Sequence, residues 1–309
     1  MKLESYFRLA TLAATLTLAS ALAADEAWIS DFEAAKKQAT DEKKSLILDF
    51  TGSDWCGWCI KLDKEVFAHE AFKTGVKDKF VLVSLDYPKE KTKVTEAIAA
   101  QNATLKDTYA IRGYPTILLT DEQGKPFAKT GYRPGGPETY VKHLDELLAV
   151  RQKRDASFAE AAKTTGIVKA KALVRALESM ALDEDMVSKF YSEEIKAIKT
   201  ADPKDESGYI KGIELKTKFA GFQKQINDLA NKQNFEGIMA LIDETLTAGT
   251  YEGDLKQETM IFKAITFMQL KKPEDAIKTL DEAKAINPES RVSNRIDGMK
   301  KRFETVNPK

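Results

Sequence analysis

The chain has two cysteines in 309 residues, and both lie in the stretch "DWCGWC", as Cys56 and Cys59. A bond between them would close a very small loop, worth only roughly 2 kcal/mol on the loop-closure model, and would join no distant segments. At this length we expect two domains of about 150 residues each. Both must fold on hydrophobic cores without a disulfide framework, so the cysteine pair needs a chemical explanation.

Residues 1–23 have the pattern of a secretory signal peptide. Lys2 and Arg8 precede an apolar stretch that ends in Ala21-Leu22-Ala23, a small-x-small cleavage pattern. The apolar core is shorter than the roughly 20 residues of a membrane-spanning helix, which favours a cleaved leader over a retained anchor. We therefore expect an exported chain.

The charges of the chain are balanced, with 48 basic and 48 acidic residues. Such a balance provides no electrostatic attraction for nucleic acid or for an anionic membrane. We therefore predict neither as a ligand.

Helical and strand patterns alternate between residues 24 and 152. The runs "SLILDF" and "FVLVSLDY" predict buried strands with helical segments around them. "TILLTD" and "PFAKTGY" are joined by Glu122-Gln123-Gly124-Lys125, a hairpin connection, and a long helix follows from "GGPETY". This order predicts an α/β domain whose sheet is covered by helices on both faces.

Two segments of this region are predicted as helices because their residues follow a helical period. "CIKLDKEVFAHEAFK" has the period of one continuous helix, and "KEKTKVTEAIAAQNATLKDTY" has that of a charged one. The lysine run "KEKTK" is most simply a solvated face.

Residues 153–309 are predicted as a second, all-helical domain. "NFEGIMALIDETL" and "KPEDAIKTLDEAK" are similar at an offset of 38 residues. Around the later copy, the small and aromatic positions of a tetratricopeptide unit are occupied, whereas the earlier copy lacks the alanines. These positions are Ala264, Phe267, Ala276, Leu280, Ala283 and Pro288. "ADPKDESGY", from Ala201, is predicted as the turn that separates an upstream helical pair from this array.

The cysteine pair admits several interpretations. A zinc site needs four ligands as a rule, and only His69 and His143 remain to supply them. A structural disulfide and two buried free thiols are also open. Redox chemistry is favoured because Cys56 follows a predicted strand and begins a helix, where backbone N–H groups and the helix dipole lower a thiol pKa. Cys56 is then the attacking thiol and Cys59 the resolving one.

The motif resembles the active site of the thioredoxin superfamily. Trp55-Cys56-Gly57-Trp58-Cys59 is followed by Gly113-Tyr114-Pro115-Thr116, in the order of that family's active-site and cis-proline motifs. "LDFTGSDWCGWCIKLDKEVF" is similar to secreted bacterial thioredoxin-like proteins of the disulfide-reductase-related branch. The resemblance covers roughly Trp28 to Val150 and implies a central mixed sheet flanked by helices.

The resemblance also implies roles for particular residues. Pro115 is expected to be cis and to pack beside the disulfide, with the backbone of Tyr114 pairing with an extended substrate segment. Asp49 corresponds to the buried acid that helps deprotonate the resolving cysteine, and a carboxyl buried there would have a raised pKa. It lies seven residues before Cys56, one more than is typical, so a structural role for Asp49 stays open.

The spacer Gly57-Trp58 departs from the family's usual dipeptides. Without a histidine there is no imidazolium to stabilise the Cys56 thiolate, which favours a reductant or an electron relay over a strong oxidant. Trp58 is expected to contact substrate or to rest on the sheet edge. Trp55 packs against the motif in relatives.

These features predict an exported, periplasmic thiol–disulfide oxidoreductase that needs no cofactor and acts on protein thiols and disulfides. A membrane redox donor and a protein partner on the helical repeats are further expectations. The competing hypothesis is a binding adaptor that uses the repeats, with an inert or regulatory disulfide.

Overall fold

The structure is a computed structural model, and it describes residues 28–306. The predicted signal peptide, 1–23, lies outside those residues. The chain divides into two compact units, one ending at Lys204 and the next beginning at Asp205. Within the described range, every helix is too short or too polar to cross a membrane.

A five-stranded mixed sheet forms the centre of the first unit, in the order β1-β3-β2-β4-β5. β1, β3 and β2 run parallel, whereas β4 is antiparallel to both β2 and β5. Every residue of the central strand β2 is buried, as a strand with helices on both faces requires. The strands are β1 Trp28–Ile29, β2 Ser45–Thr51, β3 Phe80–Asp86, β4 Thr116–Thr120 and β5 Pro126–Thr130.

The hairpin between β4 and β5 forms where the sequence predicts it. The Asp121 carboxylate accepts hydrogen bonds from the backbone N–H groups of Gln123, at 3.1 Å, and Lys125, at 2.8 Å. Gly124 has φ +85, and a Cβ there would lie 2.9 Å from Cζ of Phe32. Both the backbone angle and the close packing require glycine at this position.

Between residues 28 and 204, the first unit has eight α-helices. They are α1 Phe32–Glu42, α2 Gly57–Leu62, α3 Glu70–Val76, α4 Glu96–Thr108, α5 Gly136–Ala162, α6 Gly166–Glu178, α7 Glu184–Phe190 and α8 Ser192–Ala201. The lysine run forms only a short 3₁₀ turn, Lys91–Lys93, because the side chain of Thr95 caps α4 by accepting the N–H of Ile98 at 3.2 Å.

The segment predicted as one helix after Cys56 is interrupted. α2 widens into a π-helical turn at Asp63–Phe67, where the N–H of Ala68 donates to the Asp63 carbonyl at 2.9 Å. His69 is extended, and α3 begins after it. Periodicity alone does not distinguish a five-residue turn from a four-residue one over so short a stretch.

The first unit extends beyond the boundary predicted at residue 152. α5 continues through that position without a break. Ala181 bridges the β5 edge, accepting from the N–H of Lys129 at 2.8 Å and donating to the Phe127 carbonyl at 3.2 Å. Buried Arg154 donates to the Tyr191 hydroxyl at 2.9 Å, and that hydroxyl donates to the Pro126 carbonyl at 2.7 Å. Residues 153–204 therefore belong to the same compact unit as the sheet, and the compact units divide at the predicted "ADPKDESGY" turn.

The second unit is helical wherever the structure describes regular secondary structure in it. Its helices are α9 Tyr209–Asn231, α10 Phe235–Thr247, α11 Gly253–Gln269, α12 Pro273–Ile286 and α13 Arg291–Val306. Ala264, Ala276, Leu280 and Ala283, which the sequence assigned to close helix contacts, are fully buried where α11 packs on α12. The tetratricopeptide assignment itself stays a prediction.

Candidate active site

The disulfide lies in the first turn of the helix that follows the central strand. After β2, the carbonyl of Gly52 accepts the N–H groups of Trp55, at 3.3 Å, and Cys56, at 2.9 Å. This turn reverses the chain and makes Cys56 the N-cap of α2. The chain has one more residue between Asp49 and Cys56 than is typical of the family. Because β2 pairs regularly with β3 up to Thr51, this additional residue lies in the turn after β2.

Cys56 and Cys59 are joined by a disulfide bond, with an S–S distance of 2.05 Å. Both are largely buried, at 6% and 4% exposure. The Cys59 N–H donates to Cys56 Sγ at 3.2 Å, as an N-capping side chain accepts from the first turn. A thiolate at Cys56 would occupy this same position, with a backbone N–H and the positive end of the helix dipole directed at it. The structure thus excludes the interpretation of two free thiols for this state.

The structure brings the second motif to the first. The Tyr114–Pro115 peptide bond is cis, as the resemblance implies. The Tyr114 ring meets the Trp55 ring edge-on, with centroids 5.5 Å apart. Thr116 Oγ1 donates to the Gly113 carbonyl at 2.8 Å and thereby closes the turn before β4. The loop that carries the proline therefore lies against the residue that precedes Cys56.

Trp55 and the loop before it are held by several hydrogen bonds. The indole N–H of Trp55 donates to the Tyr87 carbonyl at 2.7 Å. The Asp54 carboxylate accepts the N–H groups of Lys89 and Glu90, each at 2.9 Å, and these bonds lower its pKa. These anchors were not predicted from the sequence; the polar Ser53-Asp54 pair after a strand is the signal that could have indicated them.

Ser53 ties the same loop to the end of β3. Its N–H donates to Asp86 Oδ1 at 2.9 Å and its hydroxyl donates to Asp86 Oδ2 at 2.6 Å. Gly52 lies under the indole, because a Cβ there would be 2.5 Å from Cε2 of Trp55. The turn before the disulfide is consequently held by hydrogen bonds to the end of β3 and by close packing under the indole of Trp55.

Trp58 lies on the solvent side of α2 and is 58% exposed, against 40% for Trp55. Its ring contacts Tyr132, with centroids 5.1 Å apart. Gly57 is open, with nothing within 4 Å of an added Cβ. The two spacer residues are thus accessible beside the disulfide, and Tyr132 is a neighbour that was not predicted from the sequence.

Asp49 is buried in β2, opposite Ser84 of β3 and Ile117 of β4. It is 8% exposed, and its Oδ1 has no hydrogen-bond partner within the described part of the chain. Burial raises the pKa of this carboxyl to about 8, and the negative charges of Asp63 and Asp86 raise it further in the same direction. The raised pKa agrees with the expectation for a buried acid at this position.

The two histidines make local contacts. His69 Nε2 lies 3.1 Å from the Lys64 carbonyl, and His143 Nε2 lies 3.0 Å from the Thr130 hydroxyl. Partial burial lowers the pKa of His143, with the charge of Arg133 as the second cause. Neither contact involves the disulfide.

A mixed sheet in this strand order, a C-x-x-C disulfide at the start of the helix after the central strand and a cis-proline before β4 define a thioredoxin fold with a redox centre. The family model described as "Thioredoxin-like domain" matches residues 32–148. Disulfide bond reductase DsbH of Chlamydia pneumoniae is 35% identical over 129 residues, which cover 42% of this chain and 76% of DsbH. The chain therefore belongs to the thioredoxin-like family, and the predicted α/β fold is confirmed.

Two further proteins are similar to this chain. Thioredoxin-related protein DsbJ of Chlamydia pneumoniae is 31% identical over 153 residues, which cover 45% of this chain and 44% of DsbJ. A solved structure titled DsbH oxidoreductase has 31% sequence identity and a TM-score of 0.37, covering 38% of this chain and 81% of its own. With the Cys56–Cys59 disulfide, this family membership makes the chain a thiol–disulfide oxidoreductase.

Proposed function

We propose that the chain is an exported reductant of protein disulfides. The observation that carries the proposal is the position of Cys56 Sγ at the N-cap of α2, where it accepts the Cys59 N–H. A thiolate formed there is stabilised for attack, and its partner thiol is three residues away. The name of the relative DsbH, a disulfide bond reductase, supports the reducing direction.

The reaction begins from the reduced dithiol. Cys56 thiolate attacks one sulfur of the substrate disulfide, the substrate S–S bond breaks, and a Cys56–substrate disulfide forms while the other substrate sulfur leaves as a thiolate that takes a proton from solvent. Cys59 then loses its proton to the Asp49 carboxylate and attacks Cys56 Sγ. The second substrate sulfur leaves as a thiolate and is protonated by solvent, the proton held by Asp49 returns to solvent, and the Cys56–Cys59 disulfide remains. Two electrons pass from protein to substrate, and a dithiol donor must restore the reduced state.

The spacer supports this direction. A strong oxidant has a reduced form stabilised by its surroundings, and no histidine stands between the two cysteines to supply that stabilisation. In the folded chain, Gly57 and Trp58 offer no cation of their own at the sulfur. We propose a membrane-bound dithiol protein as donor and a protein partner for the second unit, and neither the proposed chemistry nor its assay requires a cofactor.

Insulin reduction in the presence of dithiothreitol tests the activity. The intact protein should accelerate precipitation of the insulin B chain, and Cys56→Ser should abolish the acceleration. Cys59→Ser, reduced beforehand and mixed with insulin after removal of dithiothreitol, should instead accumulate a mixed disulfide with insulin. Equal precipitation with the intact protein and with Cys56→Ser would contradict the proposed reduction and favour the adaptor with an inert disulfide.

The reduction potential tests the direction. Equilibration with dithiothreitol and glutathione buffers, followed by the fluorescence of Trp55 and Trp58, should give a value near the roughly −270 mV of thioredoxin. A value near roughly −120 mV would make the protein an oxidant. Export is tested separately, because the mature chain recovered from its native host should begin at Ala24.

A further inference from the structure

Five aromatic rings surround the disulfide turn, and we refer to them as the aromatic rim. Tyr114 contacts Trp55 on one side and Tyr87 on the other, with centroids 5.5 Å and 5.3 Å away. Trp58 and Tyr132 form a second pair, 5.1 Å apart. Trp55 and Trp58 are exposed and the three tyrosines are half-buried, so the rim presents ring surface to solvent.

A lysine stands over each part of the aromatic rim. Lys89 Nζ is 5.9 Å from the Trp55 ring, and Lys106 Nζ is 5.8 Å from Tyr114 and 6.0 Å from Tyr87. Lys61 Nζ lies 5.1 Å from Trp58 and 5.0 Å from Tyr132. An ammonium group over a ring face is attracted to it, which holds these flexible side chains close to the disulfide turn.

The neighbouring acids are engaged differently. Glu65 accepts from the Tyr132 hydroxyl at 2.7 Å and lies 3.8 Å from Lys61. Asp54 and Asp86 direct their oxygens at hydrogen-bond donors of the turn and of the segment after β3. Lys89 and Lys106, in contrast, have no carboxylate within 4.0 Å anywhere in residues 28–306. Their ammonium groups are available on the Trp55 side of the rim.

We propose that this protein prefers disulfides in extended segments with an acidic side chain next to the cysteine. Lys89 and Lys106 would bind that carboxylate, while the apolar part of the segment rests on the rings of Trp55 and Tyr114. The inference rests on the proposed reducing function and names the substrate class of the same site. The proposal also gives a role to the lysine run "KEKTK". The Asp54 carboxylate accepts the N–H groups of its first two residues, Lys89 and Glu90, and so holds the start of the run beside the disulfide turn.

Single-turnover reduction of three peptides tests the preference. Each has one central cysteine held as a mixed disulfide with 2-mercaptoethanol. The first has glutamate on both sides of the cysteine, the second has glutamine there, and the third has the same glutamates at the peptide ends. The pre-reduced protein becomes its Cys56–Cys59 disulfide while one peptide thiol and one 2-mercaptoethanol are released, and chromatography follows the peptide.

The first peptide should be reduced about threefold faster than the second and the third, the size expected of exposed ion pairs. The ratio should fall towards one in about 1 M salt, where the Debye length is only about 3 Å. The double variant Lys89→Gln and Lys106→Gln should also bring the ratio towards one. Lys171→Gln, which removes the same charge from an exposed position of α6, should keep it near three.

The possible failures are distinguishable. Equal rates for all three peptides with the intact protein would overturn the acidic preference and leave the reducing function standing. A ratio that persists in Lys89→Gln and Lys106→Gln would assign the preference to another surface and refute the proposal. No reduction of any peptide would refute the proposed function and the inference together.

Discussion

The two sides of the disulfide differ in how the chain holds them. On the inner side, Asp49 is buried in the central strand with one oxygen unpartnered, and the turn from Gly52 to Trp55 is fastened to the segment after β3. On the outer side, Gly57 is open and Trp58 is held by ring contacts alone among those described. We therefore expect the inner side to govern protonation and stability, and the outer side to add apolar surface for an approaching segment.

Asp49→Asn should have the largest effect, on the pH dependence of stability. The folded carboxyl pKa is raised to about 8 from an ordinary value of about 3.9, so the folded state binds this proton more tightly than the unfolded state does. The contribution of the protonated Asp49 carboxyl to the free energy of unfolding is therefore fully present below pH 4 and is lost as the pH rises through 8. The intact oxidised protein should lose on the order of a few kcal/mol over that range, whereas asparagine should remove most of this slope.

Urea unfolding at a series of pH values measures this difference. Asp63→Asn is the matched control, because Asp63 is exposed and affects Asp49 only through its charge. It should shift the profile slightly and keep its slope. Parallel profiles for the intact protein and Asp49→Asn would contradict a strongly raised pKa at this carboxyl.

Gly52→Ala should have the next largest effect. Its Cβ would lie 2.5 Å from Cε2 of Trp55, so the indole must move and weaken its hydrogen bond to the Tyr87 carbonyl. Overpacking of this kind costs about 1–3 kcal/mol of unfolding free energy. Gly57→Ala is the control on the outer side, where an added Cβ meets nothing within 4 Å. Equal losses in the two variants would show that the turn before the disulfide is no more rigid than the helix after it.

Trp58→Ala should have the smallest effect on stability and a selective one on activity. The ring is 58% exposed, so we expect a loss of less than about 0.5 kcal/mol in urea unfolding. Removal of this apolar surface should raise the KM for insulin by a few fold while kcat changes less. Trp55→Phe, which loses the indole hydrogen bond to the Tyr87 carbonyl, should instead cost about 1 kcal/mol of stability. A larger loss of stability in Trp58→Ala than in Trp55→Phe would contradict the assignment of Trp55 to stability and of Trp58 to substrate contact.

Much of the fold was predictable because its signals are local. The strands β2 to β5 coincide with apolar runs, the hairpin has its glycine, and α5 begins at the Gly-Gly-Pro sequence. The break after α2 was not predictable, since a π-helical turn depends on how the following residues pack. The boundary was predicted at residue 152 because the predicted strands end before it, whereas the first compact unit continues through α5 to α8 and ends at Lys204.

By itself, the sequence determined the chemistry of the site: two cysteines at a helix start, a proline before a buried strand and an acid in the strand before the motif. Each of these is a property of neighbours along the chain, where backbone geometry limits the outcome. Only the tertiary structure decided that Tyr114 lies against Trp55, that Lys89 and Lys106 stand beside the disulfide and that Tyr132 supports Trp58. These contacts join residues far apart in sequence, and such contacts depend on how the whole sheet and its helices pack together.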